Sequence, residues 1–297
     1  MDRTDFIITV YLLVCEQYRA LQALTRIRHG GFAPALSDEE VMTIEICGEF
    51  FKLHNDQDIF DHFQEHYQDW FPALRERTQF VRQAANLWHT KSLIQQRFTI
   101  VSGQAEDPVQ IIDTLPVAVC VYTRSRRDRC FKPAADYGYC AAKEMHYYGF
   151  KLGLRISHAG MITHFPLLSA RPHDIQALDE LVRGFVGSVP ADKGFIDQVR
   201  QTVLAERNGV YVITPPRKNM SATHSRQLMK TCRRIRKRVE TVGSHLTERF
   251  AIAQIRVRDM WHFQHRLIRK VLAHTVGVFL NLQRFHAPLD LDSLIAG

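Results

Sequence analysis

Three acids in this sequence stand where carboxylates could hold divalent cations: Asp113, Asp192 and Glu240. Asp113 closes an apolar run containing Val109, Ile111 and Ile112, the place where a buried central strand delivers a side chain to the end of a sheet. Asp192 closes Ser188-Val189-Pro190-Ala191 in the same way, and Lys193-Gly194-Phe195 then lets the chain turn away. Neighbouring strands lie about 4.8 Å apart, so two aspartates at adjacent strand ends can share a pair of divalent ions. Such a pair activates a water and stabilises the leaving oxygen of a phosphodiester. Carboxylate oxygens suit Mg²⁺, with Mn²⁺ as the alternative. Glu240 is a single acid within the basic run Arg233-Arg234-Ile235-Arg236-Lys237-Arg238-Val239. At helical spacing Arg236, Glu240, Ser244 and Thr247 share one face, which sets a metal-binding carboxylate beside cations for a scissile phosphate.

Elements that would position these groups can be read from periodicity. Residues 1–100 are expected to be helical throughout, because apolar side chains recur at three- and four-residue spacing (Ile7, Val10, Tyr11, Val14). Ser37 followed by Glu40 before an apolar run is a capping box that starts a helix. From residue 109 the chain changes to short runs of Val, Ile, Tyr and Phe bounded by Gly, Pro and charge, the signature of strands. The expected strands are 109–113 with a continuation to 122, 148–157, 162–169, 189–192 and 209–214. Helices are expected over 174–186, 197–207, a long basic helix over 225–249, and a closing helix over 259–282. This order predicts an α/β chain: a mixed sheet flanked by helices, preceded by an all-helical N-terminal region. The domain division expected is 1–100, a helical DNA-binding region, and 101–297, a catalytic domain with C-terminal helices.

The composition narrows the function classes. A chain of 297 residues can bury a large core and needs neither disulfides nor structural metals to fold. A net charge of +8 favours polyanionic partners, nucleic acid foremost. The basic stretch 217–238 is the expected backbone contact, through Lys230, Arg233, Arg234, Arg236, Lys237 and Arg238. Six cysteines without a CxxC pair are expected to be free thiols. The apolar stretch 6–15 is too short to span a bilayer, so no membrane association is expected. No GxxxxGK[ST] loop and no serine nucleophile elbow occur. His262 and His265, like His54 and His62, lack the companions of a zinc site.

Several longer motifs run through the chain: Ile111-Ile112-Asp113-Thr114, Tyr148-Gly149-Phe150-Lys151-Leu152, Ser169-Ala170-Arg171-Pro172-His173-Asp174, Ala191-Asp192-Lys193-Gly194-Phe195 and Arg238-Val239-Glu240-Thr241-Val242. With these the chain resembles bacterial DDE insertion-sequence transposases, in particular the insertion sequence 982 family, related to the insertion sequence 4 type. The resemblance implies a ribonuclease-H-like catalytic domain whose Asp113, Asp192 and Glu240 bind two Mg²⁺ ions. It also implies binding to terminal inverted repeats and to target DNA, a homodimer when two ends are brought together, and a cytoplasmic, nucleoid-associated protein. Lys151, Lys193 and Arg236 would then steady the transferring phosphate. Around the glutamate the related pattern has Tyr and Lys where this chain has Arg233 and Thr247. The alternatives on the same residues are a nuclease that cleaves without joining and a DNA-binding regulator whose acids are structural.

Overall fold

The computed structural model describes residues 1–28, 30, 33–132, 134–140, 144–217, 220 and 224–295. Lys218, one cation of the basic stretch, lies outside the described residues. By contacts the chain divides into two compact units, 1–102 with 245–297, and 103–244.

The first unit is helical. Helix α1 (Arg3–Gln22) starts at Asp2, whose side chain accepts from Asp5 N. Ser37 and Glu40 form the expected capping box and open α2 (Asp38–Phe50): Ser37 Oγ accepts from Glu40 N, and Glu40 Oε2 from Ser37 N. Asn55 caps α3 (Asp56–His66). Helices α4 (Arg77–Asn86) and α5 (Trp88–Val101) follow. All six cysteines carry free thiols.

The second unit is built on a sheet whose spine is β3. Strand β1 (Ile111–Ala118) pairs antiparallel with β3 (Met145–Ile156), in register from Ile111 opposite Ile156 to Ala118 opposite Gly149. The other edge of β3 is covered in succession by β2 (Asp136–Cys140), β5 (Leu167–Ser169) and β4 (Ile162–His164). The single strand expected over 162–169 is two short ones, interrupted at Phe165-Pro166, where the Pro166 carbonyl accepts from Gly153 N instead. Strand β2 escaped the sequence reading because it is short, begins on an aspartate and has Gly138 at its centre.

A four-residue 3-10 turn (Asp174–Ala177) runs into α6 (Leu178–Leu181), a shorter helix than the one expected, with Gly184 in the left-handed region beyond it. Strand β6 (Gly187–Pro190) then pairs in parallel with β7 (Val210–Ile213). Between them lies α7 (Gln198–Asn208), capped by Asp197 and closed by Gly209 at φ 66°. A parallel bridge between Val109 and Ser188 joins this pair to β1. The strands therefore run β3, β1, β6, β7 across the unit, antiparallel at first and parallel after β1. Ile112, Leu178, Leu181, Val189, Phe195, Leu204 and Val210 form its core. The basic helix α8 (Arg226–Ser244) packs on β1 and β6. It stops earlier than expected, and a π turn (His245–Arg249) follows.

Helix α9 (Met260–Gln283), capped by Asp259, is buried on almost every side and belongs with the first unit, against α5 and α2. This differs from the expected division, in which the closing helix goes with residues 101–297. Phe98 meets Phe279 at 4.9 Å, and a Cβ on Gly277 would stand 2.7 Å from the Phe50 ring. Buried charges tie this interface. Lys91 Nζ donates to Glu45 Oε2 at 2.6 Å and to His265 Nδ1 at 2.9 Å. Arg269 donates to Glu49 and Asp56, and Lys270 to Glu49. Burial, then the neighbouring cations, keep His265 well below the usual imidazole range, so it is the neutral member of the group. No helix is long and apolar enough to cross a membrane among the described residues.

Candidate active site

The bridge between Val109 and Ser188 is parallel, so equal steps along both strands stay side by side. Four residues beyond Val109 is Asp113; four beyond Ser188 is Asp192. Asp113 lies inside β1, which runs on to Ala118, rather than at a strand end, whereas Asp192 follows the end of the neighbouring β6, near enough for its charge to act on Asp113. Ile112 points into the core, and alternation turns Asp113 to the opposite face. Asp192 opens a 3-10 turn (Lys193–Phe195) that Phe195, buried in the core, anchors from below. Thr114 N donates to Asp113 Oδ1 at 2.8 Å.

A third carboxylate, Asp174, stands in the same group, and its place in the motif Arg171-Pro172-His173-Asp174 gives no local sign of that. Its Oδ1 accepts from Thr114 Oγ1 and from Lys151 Nζ, both at 3.0 Å. Lys151 also donates to the Pro172 carbonyl at 2.6 Å. This lysine therefore holds the turn that presents Asp174, rather than standing free for a phosphate. A Cβ on Gly194 would come 3.4 Å from Asp174 Oδ2, which brings the Asp192 and Asp174 turns into contact.

Electrostatics follow from this crowding. Burial first, and then the charges of Asp192 and Asp174, push the Asp113 carboxyl up to about 6, against the opposing pull of the Thr114 N–H and Arg236. Arg236 Nη1 donates to Asp192 Oδ1 at 3.2 Å. Its Nε is buried and has no acceptor among the described residues. Glu240 lies one helical turn beyond Arg236, exposed, with no hydrogen bond or ion pair among the described residues. Nowhere among those residues do three His, Cys, Asp or Glu side chains stand close enough to grip one ion. The structure brings together Asp113, Asp174, Asp192 and Arg236, and it does not close Glu240 onto them as a third ligand.

Along α8, Cys232, Val239 and Val242 are buried, whereas Lys230, Arg233, Arg234 and Lys237 are exposed and Arg238 is partly so. None of these five cations is ion-paired among the described residues. Lys193 is exposed beside Asp192.

Residues 103–260 match the transposase DDE domain family. The chain belongs to the DDE transposases. That match coincides closely with the second compact unit, so the DDE domain is the mixed sheet with α6, α7 and α8. No curated protein and no solved structure matches the chain. In this DDE domain the donor type suits a hard divalent cation: carboxylate oxygens, one of them raised to about 6 by burial and by the acids beside it.

Proposed function

We propose that this DDE transposase cuts DNA at the terminal inverted repeats of its own element and joins the freed 3′-hydroxyl to target DNA, with Asp113, Asp192 and Glu240 as the catalytic carboxylates. The observation that carries the reading is the matched four-residue offset that sets Asp113 beside Asp192, next to Arg236 and one helical turn from Glu240. The strand order, with β3 antiparallel and β6 and β7 parallel to β1, supports a ribonuclease-H-like fold. The motif set supports membership of the insertion sequence 982 family.

Mg²⁺ (or Mn²⁺) held by the carboxylates would supply the Lewis acidity that water activation and departure of the leaving oxygen require. The chain's own groups do the rest. Arg236, whose Nη1 donates to Asp192 Oδ1, carries the guanidinium that would steady a phosphate oxygen at the site. Lys230, Arg233, Arg234, Lys237 and Arg238 grip the DNA backbone, with Lys193 beside the site, so affinity falls steeply with salt. Lys151 keeps Asp174 in place. Joining two ends calls for two copies of the chain at synapsis, in the bacterial cytoplasm with the nucleoid DNA.

End-labelled repeat DNA incubated with a target plasmid tests this. Asp113→Asn, Asp192→Asn and Glu240→Gln are each expected to abolish cleavage and joining while retaining DNA binding. Cleavage without joined product in the wild type points to a nuclease, and retention without either to a regulator. Normal strand transfer by any one variant removes that residue from the site.

A further inference from the structure

Between β1 and β2 the chain crosses a 3-10 turn (Tyr122–Arg127) and carries Arg124, Arg126, Arg127, Arg129 and Lys132 against a single acid, Asp128. Asp128 spends its carboxylate on the backbone N–H groups of Cys130 and Phe131. All five cations are exposed, and none is ion-paired among the described residues. Beside them lies a sheet face paved with rings. The antiparallel register sets Tyr137 opposite Tyr148 and Tyr139 opposite His146, all on one face, while Gly138 and Tyr147 occupy the other. Tyr122 reaches over from the turn, 6.0 Å from Tyr137 and 6.1 Å from His146.

Cross-strand aromatic pairs stabilise a hairpin, and Tyr148, buried 5.0 Å beneath Tyr137, does that work. The outer rings are a different matter. Tyr122, Tyr137 and Tyr139 remain 46%, 41% and 53% exposed. Clustered exposed rings rimmed by cations mark an interaction surface.

We propose that this ribbon, β2 with the first half of β3 and the 122–132 segment, binds an unpaired stretch of DNA, its bases stacked on Tyr122, Tyr137 and Tyr139 and its phosphates held by the arginines. The excess of unpaired cations favours a polyanion over a protein partner. A ring can stack on a base only when the face of that base is not already covered by its neighbours in a duplex, so the ligand is single-stranded. Tyr148 lies six residues along β3 from Leu154, the partner of Asp113, or about 20 Å. A strand parted near the cut would reach the ribbon within a few nucleotides. The inference rests on the DNA-processing reading above, but its test does not pass through cleavage.

The test uses the full chain, a fluorescent oligothymidylate and an unrelated duplex of equal length, in buffer free of divalent ions, read by anisotropy. The wild type is expected to hold the single strand. Tyr122→Ala with Tyr139→Ala should weaken that binding about tenfold or more and leave duplex binding unchanged. Tyr122→Phe with Tyr139→Phe should retain it, and Arg124→Gln with Arg126→Gln should weaken it while flattening its dependence on salt. Wild-type single-strand affinity in the double alanine protein, or equal losses in the alanine and phenylalanine proteins, would overturn the proposal and leave the surface to a protein partner.

Discussion

Asp113→Asn is expected to make the protein more stable, and increasingly so as the pH rises. Burial, reinforced by Asp192 and Asp174, lifts this carboxyl from 3.8 to about 6. A carboxyl raised in the folded state carries no penalty while it is protonated in both folded and unfolded chains. The penalty grows as pH climbs from about 4 to about 6 and is complete above that window. Roughly two pH units at about 1.4 kcal/mol each set its ceiling near 3 kcal/mol. Asparagine has nearly the same shape and keeps an oxygen for Thr114 N, which donates to Asp113 Oδ1 at 2.8 Å. Urea unfolding of both proteins in the presence of EDTA should therefore show an advantage for the variant that grows by about 2 kcal/mol between pH 4.5 and pH 7.5. Adding Mg²⁺ should shrink it, by giving the wild-type carboxylate its counter-charge. An advantage equal at both pH values, or a variant less stable at pH 7.5, refutes the electrostatic account of the site.

Two further substitutions probe the scaffold. Lys91→Met takes from the buried Glu45 carboxylate its hydrogen-bonded cation, which donates to Oε2 at 2.6 Å, and among the described residues leaves it only the Arg269 cation at 3.6 Å; it should lower stability by about 3 kcal/mol. Adding Glu45→Leu should recover most of that loss, and a single-variant loss below about 1 kcal/mol would contradict the pairing. At Gly149 a Cβ would stand 2.2 Å from the Val117 carbonyl oxygen. Gly149→Ala should therefore disrupt the β1–β3 pairing at its Ala118 end and lower the urea midpoint, with a cost of about 2 kcal/mol or more; an unchanged midpoint would show that the strands can separate freely there.

The parts of this protein that local chemistry decides were legible in its sequence. Ser37 and Glu40 announce α2, Asp259 opens α9, and apolar runs that end on Asp113 and Asp192 mark the strands that carry them. What stayed hidden depends on distant partners. Strand β2 looks unpromising alone, but Gly138 leaves room for the Tyr147 ring, whose atoms would lie 2.7 Å from a Cβ there. Asp174 reads as a turn residue until Thr114 and Lys151, far off in the chain, are found bound to it. Lys151 reads as a spare cation until its acceptors are seen. Nor does periodicity reveal that His265, Arg269 and Lys270 face acids on α2 and α3 rather than solvent.

The buried ionic knot also constrains how the chain is made. Glu49 meets Arg269 220 positions later, and Lys91 meets His265 174 positions later. On a ribosome the first five helices emerge before Arg269 and Lys270, the cations that Glu49 and Asp56 meet, and the whole sheet unit is synthesised before the last helix brings them. A chain that stops before that helix would leave Glu49 and Asp56 without these cations and α2 and α5 without the helix they pack on, an incomplete unit that exposes apolar surface.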